Sequence, residues 1–477
     1  MIASDLLVSL NPEALLALVV ELQRQNAELQ RQVAALTAGH EALRSELEQL
    51  KRGGKRQAAP FSKGTHKPTP KCPGRKPGSG PFRYREVPPP EAVTEPPVEV
   101  PVTLDACPTC GGPLEAARVD LASTTELPER PRPKVTQYRV QVCRCTVGGM
   151  QVRGQHPEVA SDQVGATAHR VGTRVMAAAH ALHYGLGIPV RKVPLVLATL
   201  TGVRLTPGAM TQDALRRTAG AVGLAYTQLR AMVPETPVVH TDDTGWRVGG
   251  EPAHLMAFET DAATVYQIRS RHRHEEVQEV IPADYAGVMV TDRGRSYDAQ
   301  AFDRVEQQKC LAHILRSLSD VVERKTGRAR EFGAQLKAVL QEALALWHEY
   351  RDDQLTDFKS EAEALQAELT FQLRDRRLRD RDNQRLLNEL GWHHDRGNLL
   401  RFLVDPRIEP TNNRAERALR PAVIARKVSH CSQNGAGAQA FAAFTSVVRT
   451  LAKQGVDSLV ENLYQLFRGP DVQATPP

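Results

Sequence analysis

Six leucines recur at seven-residue spacing near the start of the chain: Leu15, Leu22, Leu29, Leu36, Leu43 and Leu50. Such a repeat makes one apolar seam only on an α-helix, where every seventh residue returns to nearly the same side. Four residues after the first five leucines stand Val19, Asn26, Val33, His40 and Leu47. With leucine at d these are the a positions. Mostly apolar a residues with leucine at d favour a two-stranded parallel coil, and a lone Asn at a fixes its register. Residues 13–51 therefore predict a coiled coil and, through it, a homodimer. A single amphipathic helix folded back on its own chain is the other use of the same stripe.

The chain carries 62 Lys and Arg against 55 Asp and Glu, a net charge of +7. The excess is local, because residues 51–85 hold eleven basic residues and no acid. Such a block points to a polyanion partner, or else to a solvated linker. Residues 52–104 are rich in Gly, Pro, Lys and Arg and predict a flexible arm. Within it "GRKPG" sets Arg75 and Lys76 in a short loop that fits a narrow minor groove, or serves only as a tether. The start of the chain lacks a basic leader region, and no apolar run approaches the roughly 20 residues that span a bilayer. The expectation is a cytoplasmic protein with no membrane partner.

Seven cysteines include two close pairs, Cys107 with Cys110 in "CPTCGG" and Cys143 with Cys145 in "CRC". Close pairs point to metal chemistry in a reducing compartment rather than to a disulfide framework. Residues 105–156 predict a small module with one structural zinc, ligated by those four thiolates. The one-residue gap of the second pair is tighter than usual, which leaves His156 open as a substitute ligand. Residues 164–230 predict a helical region. In it an apolar helix, a Gly turn and a Thr-Pro start to a second helix have helix-turn-helix shape, a shape that ordinary helical hairpins share.

From residue 237 the pattern changes to strands. "PVVHTDDTGWRVGG", "AHLMAFETD" and "TVYQIRS" predict an antiparallel meander, followed by a helix near 274–281, a buried strand "GVMVTDRG" and a last strand leading into a helix. Asp242 stands at the end of the first strand, Asp292 ends the fourth, and Glu416 lies on a late helix in "PTNNRAERALRP". Each acid alone has an ordinary use, as a turn former or on a solvated face. Together, in this order, they have the layout of an RNase H-like fold, in which carboxylates converge on two divalent ions on the order of 4 Å apart. Oxygen ligands suit two Mg or Mn ions. Glu416 sits among Arg414, Arg417 and Arg420, with Arg426 and Lys427 beyond, a face suited to gripping a DNA backbone. A carboxylate belongs on such a face if a cation stands between it and the phosphate. The expected fold is multidomain: coiled coil, zinc module, helical DNA-binding region, an α/β RNase H-like catalytic core over 237–426 with a helical insertion at 328–404, and a helical tail over 427–468.

The order of these segments, with "GRKPG", "HYGLGIPVRKV", "DDTGWRV", "CLAH" and "NNRAERALRP...RK", resembles transposases of the IS-sixty-six insertion-sequence family over nearly the whole chain. The resemblance implies a DDE catalytic domain whose three acids are Asp242, Asp292 and Glu416. It implies a transposase that binds its element's terminal repeats, cuts 3′ strands with metal ions, and joins them to target DNA. Asp243 departs from the family's usual Glu, and "TDRGRSY" departs from the small or aromatic residues that more often follow the second acid. Cys310 and His313 read as structural or as active-site wall, and His240 and His254 as strand residues. A non-catalytic DNA-binding regulator with a degenerate nuclease core is the alternative.

Overall fold

The computed structural model describes residues 12–53, isolated positions between 89 and 100, and residues 103–115, 133–156, 170–351, 358–374, 377–405, 407–455 and 458–468. Most of the expected basic arm, including Arg75 and Lys76, lies outside the described residues. The chain divides into two compact units, Met1–Thr124 and Thr125–Pro477.

In the first unit, α1 (Pro12–Gly53) covers the leucine repeat as one continuous helix. Val19, Leu22, Leu29, Val33 and Leu36 are 46–74% exposed, so this part of the apolar stripe faces water. Ion pairs one turn apart, Glu21 with Arg24 and Glu28 with Arg31, lie on the same helix. Farther on, Cys107 opens a tight turn in which its carbonyl accepts from Gly111 N at 2.8 Å and its own N–H donates to Gly112 O at 2.9 Å. Gly111 takes φ +72°, a conformation that favours glycine.

The second unit begins with a two-stranded antiparallel ribbon, β1 (Val142–Arg144) and β2 (Gln151–Arg153). Its turn is built like the first one: Gly149 N donates to Cys145 O at 3.0 Å, and Cys145 N donates to Met150 O at 2.8 Å. Four helices follow: α2 (Thr173–His180), which continues through a π-helical turn, α3 (Val193–Thr201), α4 (Pro207–Thr218) and α5 (Ala221–Met232). Gly202 ends α3 in the left-handed region, and Thr206 Oγ1 caps α4 by accepting from Ala209 N at 3.1 Å.

The centre of the unit is a mixed five-stranded sheet made of β3 (Val238–Val248), β4 (Glu251–Glu259), β5 (Thr264–Arg269), β6 (Val288–Thr291) and β7 (Glu306–Lys309). The spatial order is β5-β4-β3-β6-β7. β3, β4 and β5 form the antiparallel meander, while β6 and β7 run parallel to β3. The short α6 (His274–Gln278) lies between β5 and β6. Then come α7 (Leu311–Arg324), the insertion helices α8 (Gly327–Arg351), α9 (Phe358–Leu373) and α10 (Arg381–Asp395), and finally α11 (Asn413–Ser429), α12 (Gly435–Lys453) and α13 (Leu459–Arg468).

Alternation along the strands decides which helices cover which face. Val239, Met256, Phe258, Val265 and Met289 share one buried cluster with Ala177 of α2, Tyr226 of α5, Phe444 of α12 and Leu463 of α13. The central helices and the C-terminal helices therefore form one core with the sheet. On the other face Val288 and Val290 pack with Leu311, Leu336, Leu369 and Leu387 of α7 to α10. Beside them Leu255, Ala257 and Ile268 pack with Leu419 of α11 and Ala442 of α12. The result is an α/β core with helices on both faces.

Candidate functional site

Val238, Val239 and His240 of β3 stand beside Val288, Met289 and Val290 of β6 in parallel register. Two residues further along, the same register sets Asp242 next to Asp292. Both continue the even-numbered positions of their strands, so they emerge on the face covered by α7 and α11. Asp292 opens a turn in which its Oδ1 accepts from Gly294 N at 2.8 Å. A Cβ at residue 294 would come within 2.8 Å of that same oxygen, so a larger residue there would push the Asp292 carboxylate aside.

Glu416 reaches this face because α11 is tied to the sheet along its length. At its start, buried Asn412 donates its side-chain amide to Thr241 O at 2.8 Å, and its backbone N–H donates to Cys310 Sγ at 3.1 Å. Leu311 N donates to Pro410 O at 2.9 Å. In the middle, Tyr266 Oη donates to Ala418 O at 2.6 Å. At the end, Arg426 donates to Thr244 Oγ1 at 3.1 Å and to the Gly245 carbonyl, and Trp246 Nε1 donates to Ser432 Oγ at 3.1 Å. The segment "PTNN" is thus a splice joining α11, α7 and β3, and Cys310 of "CLAH" is one of its buried acceptors.

Burial first, and then the charge of Asp292, push the Asp242 carboxyl up to about 7; Glu416 adds to the rise and the Asp243 N–H opposes it. His313 Nε2 stands 3.8 Å from Glu416 Oε1. A cleft beside them is lined by Asp292, Arg293, His313 and Glu389. Glu389 comes from α10 and pairs with Arg293 at 2.9 Å, so the insertion contributes to the rim of the site. Behind Asp292, Lys309 is fully buried, 2.7 Å from Asp298 and 3.1 Å from Thr291 Oγ1. Burial draws its pKa down against the pull of Asp298. Neither Glu389 nor Lys309 carries a sequence signal, since each reaches the site only through long-range packing.

The basic residues of α11 divide into two groups. Arg414 pairs with Asp261 at 2.6 Å and donates to Thr260 O at 3.3 Å, and Arg426 holds β3 as described. Arg417 and Arg420 are exposed, and Lys427 is half-buried. Arg414 and Arg417 also line a second, cationic cleft with Arg449 and Lys453. His240 is buried and its pKa is pushed down to about 3, by burial first and then by Arg414, so it stays neutral. His156 lies against the Tyr138 ring, centroids 4.4 Å apart. At the cysteine turns, backbone N–H groups lower the thiol pKa of Cys107, through Thr109 first, and of Cys145, through Gly148 first.

Among the described residues, the group of three Asp, Glu, His or Cys side chains whose ligand atoms all lie within 4.8 Å of one another is Asp243, His254 and His272. Asp242, Asp292 and Glu416 are spread more widely than that. No helix among the described residues is long and apolar enough to cross a membrane. Comparison with curated protein sequences found no match. Residues 169–440, more than half of the chain, match the family described as Transposase IS66 family. That span runs from the central helices through the sheet, the insertion and α11 into α12, and on this match the chain belongs to the Transposase IS66 family.

Proposed function

We propose that the chain is a DNA transposase with an RNase H-like core, in which Asp242, Asp292 and Glu416 form the catalytic triad. The observation that carries this reading is the β3–β6 register, which sets Asp242 beside Asp292, together with the anchoring of α11 that brings Glu416 to the same face. The donor set fits two Mg or Mn ions. All three ligands are carboxylates. Burial first, and then the charge of Asp292, raise the Asp242 pKa, and a bound cation would offset both. Their wide spacing suits two ions flanked by carboxylates better than one ion shared by all three.

When bound, such ions polarise the phosphoryl oxygen and lower the pKa of an attacking hydroxyl. The side chains do the rest. Arg417 and Arg420, exposed on α11, hold the DNA backbone along the helix that carries Glu416. His313, 3.8 Å from Glu416, forms part of the wall beside that acid. Two in-line displacements follow: water cuts the 3′ strand at the element end, and the freed 3′-OH then attacks a phosphodiester of the target. The cysteine turns fit zinc, because backbone N–H groups already favour the thiolate form there.

The test uses duplex oligonucleotides carrying the element's ends, in magnesium or manganese. Asp242→Ala, Asp292→Ala and Glu416→Ala should each abolish strand cleavage while end binding persists in a gel-shift assay. Normal cleavage by Glu416→Ala would refute the triad. Binding without cleavage by the unaltered protein would favour a non-catalytic regulator.

A further inference from the structure

The face of the sheet opposite the three acids carries a second cluster. Asp243 follows Asp242 on β3 and so points the other way. His254 of β4 stands on the same side, and its Nδ1 lies 2.9 Å from Asp243 Oδ2. His272, in the loop after β5, brings its Nδ1 within 3.1 Å of Asp243 Oδ1. The ligand atoms of the three lie within 4.8 Å of one another. The His272 Nε2 atom is 3.3 Å from Ser296 Oγ, and the Tyr297 ring packs edge-on against the imidazole, centroids 5.4 Å apart.

We propose that Asp243, His254 and His272 form a binding site for one first-row divalent metal ion, zinc by preference, separate from the acids on the far face. Two imidazole nitrogens and one carboxylate oxygen are the donor set that zinc takes with a water in the fourth position. A tetrahedral ion with bonds of about 2.0–2.2 Å needs ligand atoms roughly 3.3–3.6 Å apart, a small adjustment of the present arrangement. The ligands come from three separate elements, so their meeting is not a by-product of local spacing. The side chains of Asp243, His254 and His272 are 25%, 38% and 11% exposed, which leaves a water-accessible path for the ion. With Nδ1 on the ion, the Nε2–H of His272 would donate to Ser296 Oγ, 3.3 Å away, and fix the ring. The ion then clamps β3, the strand that also holds Asp242, to β4 and the loop after β5. Its role is to position that strand, and the acids on the other face are not among its ligands.

Cobalt(II) is a spectroscopic stand-in for zinc, and the experiment titrates it into the chelator-treated full-length protein in excess magnesium. His254→Ala and His272→Ala should each lose about one bound cobalt per chain. The lost signal should be the ligand-field absorption that lacks thiolate charge transfer, any thiolate–cobalt band should stay, and an unchanged thermal melt of the metal-free variant shows that the sheet is folded. Asp242→Ala should keep the site in full, so a dead triad and a missing clamp are told apart. Cobalt binding by the two histidine variants equal to that of the unaltered protein overturns the proposal. Loss of the same signal in Asp242→Ala but not in His254→Ala assigns the ion to the acid triad and overturns it too.

Discussion

The side-chain amide of Asn412 donates to the main-chain carbonyl of Thr241 across 2.8 Å, joining the first residue before α11 to the residue before Asp242. Asn412 is fully buried, and its own carbonyl accepts from Glu416 N at 3.2 Å. One side chain thus ties the start of the helix that carries Glu416 to the residue before Asp242.

Replacing Asn412 with Ala removes that bond and leaves Thr241 O without its amide donor, a loss of about 1–3 kcal/mol of stability. The larger effect should be on chemistry. A shift of about 1 Å between Asp242 and Glu416 should lower cleavage by roughly 100-fold. Single-turnover cleavage beside a thermal melt separates the two effects, and a variant that is destabilised yet cleaves at the normal rate would show that Asn412 does not position Glu416.

Asp242 gives the metal-free protein a distinct pH dependence. Its folded pKa, about 7, lies above the ordinary 3.8, so the folded protein keeps a proton that the unfolded chain has released. The stabilisation is complete below pH 3.8 and is lost as pH rises through 7. Its upper size is on the order of 4 kcal/mol, at 1.36 kcal/mol per unit. In chelator, the protein should melt lower at pH 8 than at pH 5, and Asp242→Asn should flatten that difference. Magnesium should restore the loss at pH 8 in the unaltered protein but not in the variant. An identical pH profile for the two proteins would reject the raised pKa of Asp242.

The exposed stripe of α1 makes a prediction about assembly. Leu22, Leu29 and Leu36 should be covered by the same stripe of a second copy in a parallel pair. The full chain should sediment as a dimer at micromolar concentration, and changing these three leucines to Asp should yield monomers. Asn26→Leu should broaden the distribution of oligomers. A monomeric unaltered chain at tens of micromolar would sink the coiled coil.

Zinc at the cysteine turns should appear by elemental analysis of the purified protein. Cys107→Ser combined with Cys110→Ser should lower the zinc content, because serine offers no thiolate for the backbone N–H groups to stabilise. Undiminished zinc would place the metal elsewhere.

The strands were legible because β-branched and aromatic residues alternate over short lengths between glycine turns, as at Gly249-Gly250, where φ is +60° and +91°. The acids at 242 and 292 were legible as positions on strands, and their shared register followed from parallel pairing. Other features depend on contacts distant in sequence. Nothing near Asn412 announces that it will meet Thr241. Arg414 and Arg426 look like DNA contacts from their neighbours on α11, yet their guanidiniums meet Asp261 and Thr244. The packing of α12 against β5, where Ser446 Oγ accepts from Tyr266 N at 2.8 Å, makes a helix near the end of the chain part of the central core. His254 reads from sequence as one more strand residue, because the loop that brings His272 to it has no periodicity of its own.

The placement of α11, α12 and α13 after the long insertion has a consequence for synthesis. A ribosome finishes both strands bearing Asp242 and Asp292 well before it reaches Glu416, and Phe444 and Leu463 emerge later still. Until they do, Met256, Phe258 and Val265 share their cluster only with the earlier helices, through Ala177 of α2 and Tyr226 of α5. A nascent or prematurely terminated chain therefore holds two of the acids with all five strands made but lacks the third. Under the triad proposed above, strand cleavage would begin only once α11 has been made and docked, so translation itself would set the moment at which the protein can act on DNA.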